Sequence, residues 1–203
     1  MKSVYVTDRA AIGDARFGGI LERLAGARDV SVVLREPPGE DRALLDRARQ
    51  ARVRLGDSVP LYVHRRYDVA LAAGAAGVHL PSDGLPVARV RSETPRGFRI
   101  GVSTHAVAEA ERALEDGADL VFLGPIFDTP SKRAYGPPLG VEILAALPPR
   151  DGRAGEVYAI GGVEEERLPE LAPYAGRLAG IAAIRLFQES PDPRGAAERI
   201  AAR

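Results

Sequence analysis

Eight times along the chain a short apolar run rich in Val and Ile gives way to a segment of helical periodicity, and this alternation constrains the fold more than any other feature. The runs occupy residues 4–6, 30–34, 61–63, 77–80, 99–102, 120–123, 157–160 and 180–184. The stretches 18–27, 40–55, 68–73, 87–92, 106–115, 141–146, 164–172 and 195–201 carry apolar residues at the spacing an amphipathic helix requires. Runs such as VSVVL are apolar on both faces, the pattern of buried parallel strands, and no Asn-Gly hairpin signal joins neighbours. Repeated strand–helix units suit an open doubly wound sheet or a closed barrel. Eight units at a spacing of roughly 25 residues favour an α/β fold, a single-domain (β/α)8 TIM barrel over residues 1–203.

Charge and composition remove several classes of function. The 28 Lys and Arg equal the 28 Asp and Glu, so no net positive field draws in nucleic acid or an anionic membrane. The lack of Cys excludes disulfides, thiolate metal sites and cysteine nucleophiles. No apolar run approaches the ~18 residues of a membrane span, and the opening MKSVYVTDR does not read as a signal peptide, so a cytoplasmic location is expected. Among the basic residues only Lys2 and Lys132 are lysines. A lysine inside a Gly/Pro-rich loop is therefore an exception to the chain's use of arginine, and a compact ammonium is one reason for it.

In a (β/α)8 barrel the chemistry gathers where strands end and βα loops begin. Strand 2 is followed by Arg35 and Glu36, strand 3 by His64, Arg65 and Arg66, and strand 5 ends in Ser103, Thr104 and His105. Gly161-Gly162, after the seventh run and before an acid-started helix, reads as a phosphate cup of bare N–H groups or as a plain left-handed turn. The loop GPIFDTPSKRAYGPPLG is long for a βα connection; Thr129, Ser131 and Lys132 make it either a lid over an anionic ligand or a solvated surface loop. His105, heading the helix after strand 5, is a candidate neutral proton carrier or a capping residue. His79, inside a strand, reads as a packed core imidazole, and His64 as a rim residue. No HxH or HxxxH spacing supports a metal site, and none is expected.

Several segments together resemble one family: VTDR (6–9), VLRE (33–36), YDVALAAGAAGVHLPS (67–82), GVSTHAVAEA (101–110), ADLVFLGPIFDTPSKRAYGPPLG (118–140), YAIGGV (158–163) and GIAAI (180–184). They are similar, in order and over nearly the whole chain, to the thiamine phosphate synthase superfamily, which also contains the TenI-type thiazole tautomerases. The resemblance implies a (β/α)8 barrel, a thiazole phosphate as small-molecule partner and a role in thiamine biosynthesis; with the balanced charge no nucleic-acid or membrane partner is expected, and a homo-oligomer is left open.

Departures from the pattern favour the tautomerase branch. Synthases typically carry Gln-Leu-Arg-Glu-Lys after strand 2, where this chain has Val33-Leu34-Arg35-Glu36-Pro37. They carry Asn-Asp after strand 3, the Asp holding Mg²⁺, where this chain has His64-Arg65. They carry Gly-Gln-Glu-Asp after strand 4, where this chain has Pro81-Ser82-Asp83-Gly84. Leu-Pro-Ser after strand 4 resembles the tautomerases, and His105 aligns with the histidine that shuttles their proton. The resemblance thus implies a cofactor-free isomerase, with Mg²⁺ required only for the synthase alternative; a non-catalytic thiazole phosphate binder is a third reading. In the isomerase His105 would move the proton and Arg35, oriented by Glu36, would hold the carboxylate. Ser103, Thr129, Ser131 and Lys132 would contact the substrate, and Gly161, Gly162, Ile184 and Arg185 would hold its phosphate.

Overall fold

The structure, a computed structural model, describes residues 1–129, 136–151 and 155–203. Its strands follow the apolar runs: β1 (Lys2–Val6), β2 (Val30–Leu34), β3 (Leu61–His64), β4 (Gly77–Leu80), β5 (Arg99–Thr104), β6 (Leu120–Leu123), β7 (Glu156–Ile160) and β8 (Gly180–Ala183). The α-helices are α1 (Arg9–Leu24), α2 (Asp41–Leu55), α3 (Tyr67–Ala72), α4 (Val87–Glu93), α5 (Val107–Glu115), α6 (Leu168–Leu171), α7 (Arg185–Gln188) and α8 (Pro193–Ala201). The strands form a closed barrel in sequence order, β1 through β8, as the eightfold alternation predicts. Packing divides the chain into two compact units, one of Lys2–His79 with Ile184–Arg203 and one of Leu80–Ala183 with Met1. No helix among the described residues is long and apolar enough to cross a membrane.

In the unit built on Lys2–His79, β1 pairs with β2 and β2 with β3, all parallel, and His64 on β3 faces His79 on β4 in register. The sequence predicts a helix at 18–27; α1 instead begins at Arg9, because the Asp8 carboxylate accepts a hydrogen bond from the Ala11 amide at 3.3 Å and caps it. Gly13, at φ +76° inside α1, breaks the period and hides that first turn from a pattern reading. Phe17, Ile20, Leu21 and Leu24 bury its apolar face, each contributing about 1.5–3 kcal/mol. From α7 the buried Gln188 amide donates to the Tyr5 hydroxyl at 3.1 Å and to the Asp8 carbonyl at 2.9 Å, tying α7 to the end of β1. Burial pushes the Tyr5 hydroxyl up to about 12.

In the unit built on Leu80–Ala183, β5, β6, β7 and β8 pair in parallel, and all four residues of β6 are buried. Asp119, just before β6, accepts the Ile100 amide at 2.7 Å and the Arg91 guanidinium at 2.5 Å, fixing the start of β5 against that of β6. Two segments differ from the helices expected of them. Residues Val141–Ala146 wind as a 3₁₀ turn. The stretch 164–172 breaks into a 3₁₀ turn (Glu165–Arg167), the four-residue α6 and another 3₁₀ turn (Ala172–Tyr174). Pro169 and Pro173 lack the N–H groups that a continuous helix through this stretch would use.

Candidate active site

At the end of β5 the Thr104 hydroxyl donates to the Phe122 carbonyl at 3.1 Å, and the Gly124 amide donates to the Thr104 carbonyl at 3.1 Å. These bonds set the chain leaving β6 beside the residue that follows β5. His105 Nδ1 lies 2.6 Å from the Gly124 carbonyl oxygen. A carbonyl only accepts, so Nδ1 carries a hydrogen, and in the neutral ring the lone pair sits on Nε2. The ring is exposed, and the Ser82 hydroxyl, in the turn after β4, lies 3.4 Å from Nε2. The His105 amide donates to Glu109 on α5 at 2.7 Å, which fixes the backbone beneath the ring. The expected candidate base is therefore held in one tautomer, its basic nitrogen turned outward. Ser103 and Thr129 are half-buried, whereas Ser131 and Lys132 lie outside the described residues.

The turn after β7 meets the loop after β6. Ile126 and Phe127 donate their amides to the Ile160 and Gly161 carbonyls at 2.8 and 3.0 Å, and Leu139 and Gly140 donate back to Pro125 and Ile126. Gly161 (φ +96°) and Gly162 (φ +64°) both occupy the left-handed region. A Cβ on Gly161 would sit 2.6 Å from the Pro125 Cα, and one on Gly162 would sit 2.6 Å from the Asp128 carbonyl oxygen. Glycine is required twice over, by conformation and by close approach. Beyond the turn, the Arg167 guanidinium stacks 4.8 Å from the Phe127 ring centre.

In the other unit the Thr7 hydroxyl accepts the Arg35 amide at 2.9 Å and donates to the Arg35 carbonyl at 3.2 Å, securing the end of β2. The Arg35 side chain is exposed. The Glu36 side chain is only 4% exposed. Its carboxylate accepts from Arg9 at 3.0–3.1 Å and from Arg47 at 3.2 Å. Glu36, expected to orient Arg35, is thus held by Arg9 and Arg47; beside Glu36 and Asp14 the Arg9 guanidinium is raised above its ordinary range. A carboxylate so occupied is a strut between the first and second βα turns. Glu36→Gln removes its charge and one acceptor, so the unfolding free energy falls by about 2 kcal/mol in a denaturant titration; an unchanged midpoint overturns the strut.

His64 and His79 lie nearly parallel at an interplanar angle of 19°, their ring centres 6.3 Å apart. His79 is buried, as its strand position predicts, and burial, with the His64 charge second, holds its pKa down to about 3. The unfolded chain protonates this imidazole near 6.5, whereas the folded one resists until about 3. Stability from His79 is therefore complete above pH 6.5 and declines as the pH falls, by about 1.4 kcal/mol per unit well below 6.5. Replacement by Leu removes that slope, and an identical acid dependence in His79→Leu refutes it. Arg65 follows at φ +67°, its amide donating to the His79 carbonyl at 2.9 Å, and Arg66 pairs with Asp68 and Asp41. Among the described residues no group of three His, Asp or Glu is placed to hold a metal ion. Ile184 caps α7, and Arg185, its first residue, is exposed.

Hydrogen bonds join Ser82, His105 and Gly124, and separately join the β6 loop to Ile160 and Gly161. Sequence reasoning left Ser82, Arg9 and Arg47 out of the candidate site residues; adjacency of β4 and β5 in a barrel is the signal that finds Ser82, and no local pattern finds the two arginines.

Comparison with known proteins supplies the family. A family described as Thiamine monophosphate synthase matches residues 3–187. A thiamine-phosphate synthase of Methanoculleus marisnigri is 38% identical over 98% of this chain and 95% of its own length. One of Gloeobacter violaceus is 40% identical over 80% of this chain, which spans 46% of that protein. The solved thiamine phosphate pyrophosphorylase from Pyrococcus furiosus superposes with a TM-score of 0.78 at 25% identity, covering 99% of this chain and 94% of that one. With its barrel in place and the match running across nearly all of it, this chain belongs to the thiamine monophosphate synthase family, the thiamine phosphate synthase/TenI superfamily.

Proposed function

We propose that the protein is an enzyme of thiamine biosynthesis that aromatises a thiazole carboxylate phosphate by moving a proton from the ring to the exocyclic carbon. The observation that carries this reading is the His105 imidazole, pinned through Nδ1 to the Gly124 carbonyl at 2.6 Å with Nε2 turned outward. In the ylidene tautomer, Nε2 takes the hydrogen from C2, the electron pair moves through the ring, and a proton is added at the exocyclic carbon. No electrons leave the ligand, and the aromatic ring supplies the driving force. The exposed Arg35 suits the ligand carboxylate, and the turns Gly161-Gly162 and Ile184-Arg185 are the candidate phosphate contacts. Ser103 and Thr129, with Ser131 and Lys132, are candidate substrate contacts.

A second reading, synthesis of thiamine phosphate from a pyrimidine diphosphate and a thiazole phosphate, is favoured by the names of the relatives. In the family that reaction uses Mg²⁺, and the residues present do not suit this ion. Mg²⁺ takes oxygen ligands, whereas the positions of the synthase Asn-Asp pair hold an imidazole and a guanidinium, His64 and Arg65. Incubating the purified chain with the ylidene tautomer, and separately with both synthase substrates and Mg²⁺, decides between the two. Isomerisation unaffected by chelator supports the first. Pyrophosphate release in step with thiamine phosphate formation overturns it, and ligand binding without either reaction leaves a binding protein.

A further inference from the structure

We infer that Ser82 is a second proton carrier, acting with His105 as a relay pair; this rests on the isomerase reading of the site. The Ser82 hydroxyl lies 3.4 Å from His105 Nε2, the one ring nitrogen that the Gly124 carbonyl leaves with a lone pair. Both side chains are exposed, so a ligand at Nε2 also meets the hydroxyl. Their backbones are separately fixed: His105 is held by Glu109 and Gly124, and the Ser82 turn is closed by the Gly84 amide donating to the Pro81 carbonyl at 3.0 Å. Gly84 is packed so tightly there that a Cβ would lie 2.9 Å from the Pro81 ring and 3.0 Å from its carbonyl oxygen.

Aromatisation needs a base at one carbon and an acid at another, and a single imidazole serves both only by swinging between them. The pair divides the work. Nε2 takes the C2 hydrogen and becomes the N–H donor of an imidazolium. That N–H passes its proton to Ser82 Oγ as the hydroxyl's own proton passes to the exocyclic carbon. Serine ends as a hydroxyl and histidine as the neutral ring, so protons and charge balance with no co-reactant. The hydrogen delivered to carbon comes from a hydroxyl open to solvent, so the ligand's own C2 hydrogen is not the one returned.

The test combines ¹⁵N spectra of the His105 ring with turnover of C2-deuterated ylidene thiazole carboxylate phosphate. In the wild type the Nε2 resonance is that of a hydrogen-bonded acceptor, and the exocyclic carbon receives solvent hydrogen. Ser82→Ala shifts that resonance toward a free ring nitrogen and lowers kcat about 10²-fold at little change in KM. Its residual turnover, made by His105 alone, carries part of the deuterium across. Ser82→Thr keeps the hydroxyl and restores both rate and solvent-derived hydrogen. A Ser82→Ala chain with the wild-type resonance, rate or label pattern overturns the relay. A wild-type chain that leaves the ylidene tautomer unchanged overturns the isomerase reading and the relay with it, which separates that failure from a failure of Ser82 alone.

Discussion

Replacing His105 by Ala lowers kcat/KM for the ylidene thiazole carboxylate phosphate by about 10³-fold, within the ~10²–10⁴ that positioned general acid–base groups contribute. That loss corresponds to about 4 kcal/mol of transition-state stabilisation. It falls on kcat, because the imidazole is placed to move a proton while the candidate phosphate contacts, led by Gly161 and Gly162, are untouched. Folding is unaffected: the ring is exposed, and its side-chain bond to the protein interior is the one to the Gly124 carbonyl, which solvent then serves. Added imidazole restores part of the rate to His105→Ala. A variant turning over within a few-fold of the wild type removes His105 as the proton carrier, whatever becomes of the family assignment. His105→Gln is the sharper companion, since it refills the space with a side chain that hydrogen-bonds yet carries no titrating proton at neutral pH.

The architecture was legible because burial writes itself into residue type. Runs such as VSVVL and LVFL are apolar on both faces, and each lands on a strand. Where the backbone's own chemistry intervenes, the pattern misleads. Gly13 concealed the first turn of α1, and Pro169 and Pro173 divided a segment whose apolar spacing is helical. The site was legible to the same degree. Its position after β5 marked His105, but the group that fixes its tautomer is a backbone carbonyl at Gly124, which no residue type announces. Glu36 stood out as a carboxylate beside Arg35, yet its partners are Arg9 and Arg47, on α1 and α2. Any surface arginine in this Arg-rich chain would have matched equally well on sequence alone. Side-chain identity reports what a residue can do, whereas its hydrogen-bond partners depend on which loops the barrel brings together.

Substituting Gly161 by Ala destabilises the chain by about 4 kcal/mol, the sum of two separate costs. The first is conformational: at φ +96° a side chain other than hydrogen meets its own backbone, a strain of order 1–3 kcal/mol. The second is steric, because the new methyl would lie 2.5 Å from the Pro125 Cβ and 2.6 Å from its Cα, and overpacking of this kind costs typically 1–3 kcal/mol. Relief by moving residues 125–127 is itself unfavourable, since the Ile126 and Phe127 amides would leave the Ile160 and Gly161 carbonyls they now meet at 2.8 and 3.0 Å. Affinity for inorganic phosphate falls as well, if the bare amides of this turn hold the ligand's anionic end. Gly19→Ala supplies the opposite control: it lies inside α1 with open space where the methyl would go, and gains about 0.5–1 kcal/mol from the better helix former. Denaturant titrations of the two variants at unchanged slope measure both effects. Equal stability of Gly161→Ala and the wild type shows that the β7 turn and the β6 loop yield to each other, and a turn that yields so easily is no preorganised anion cup.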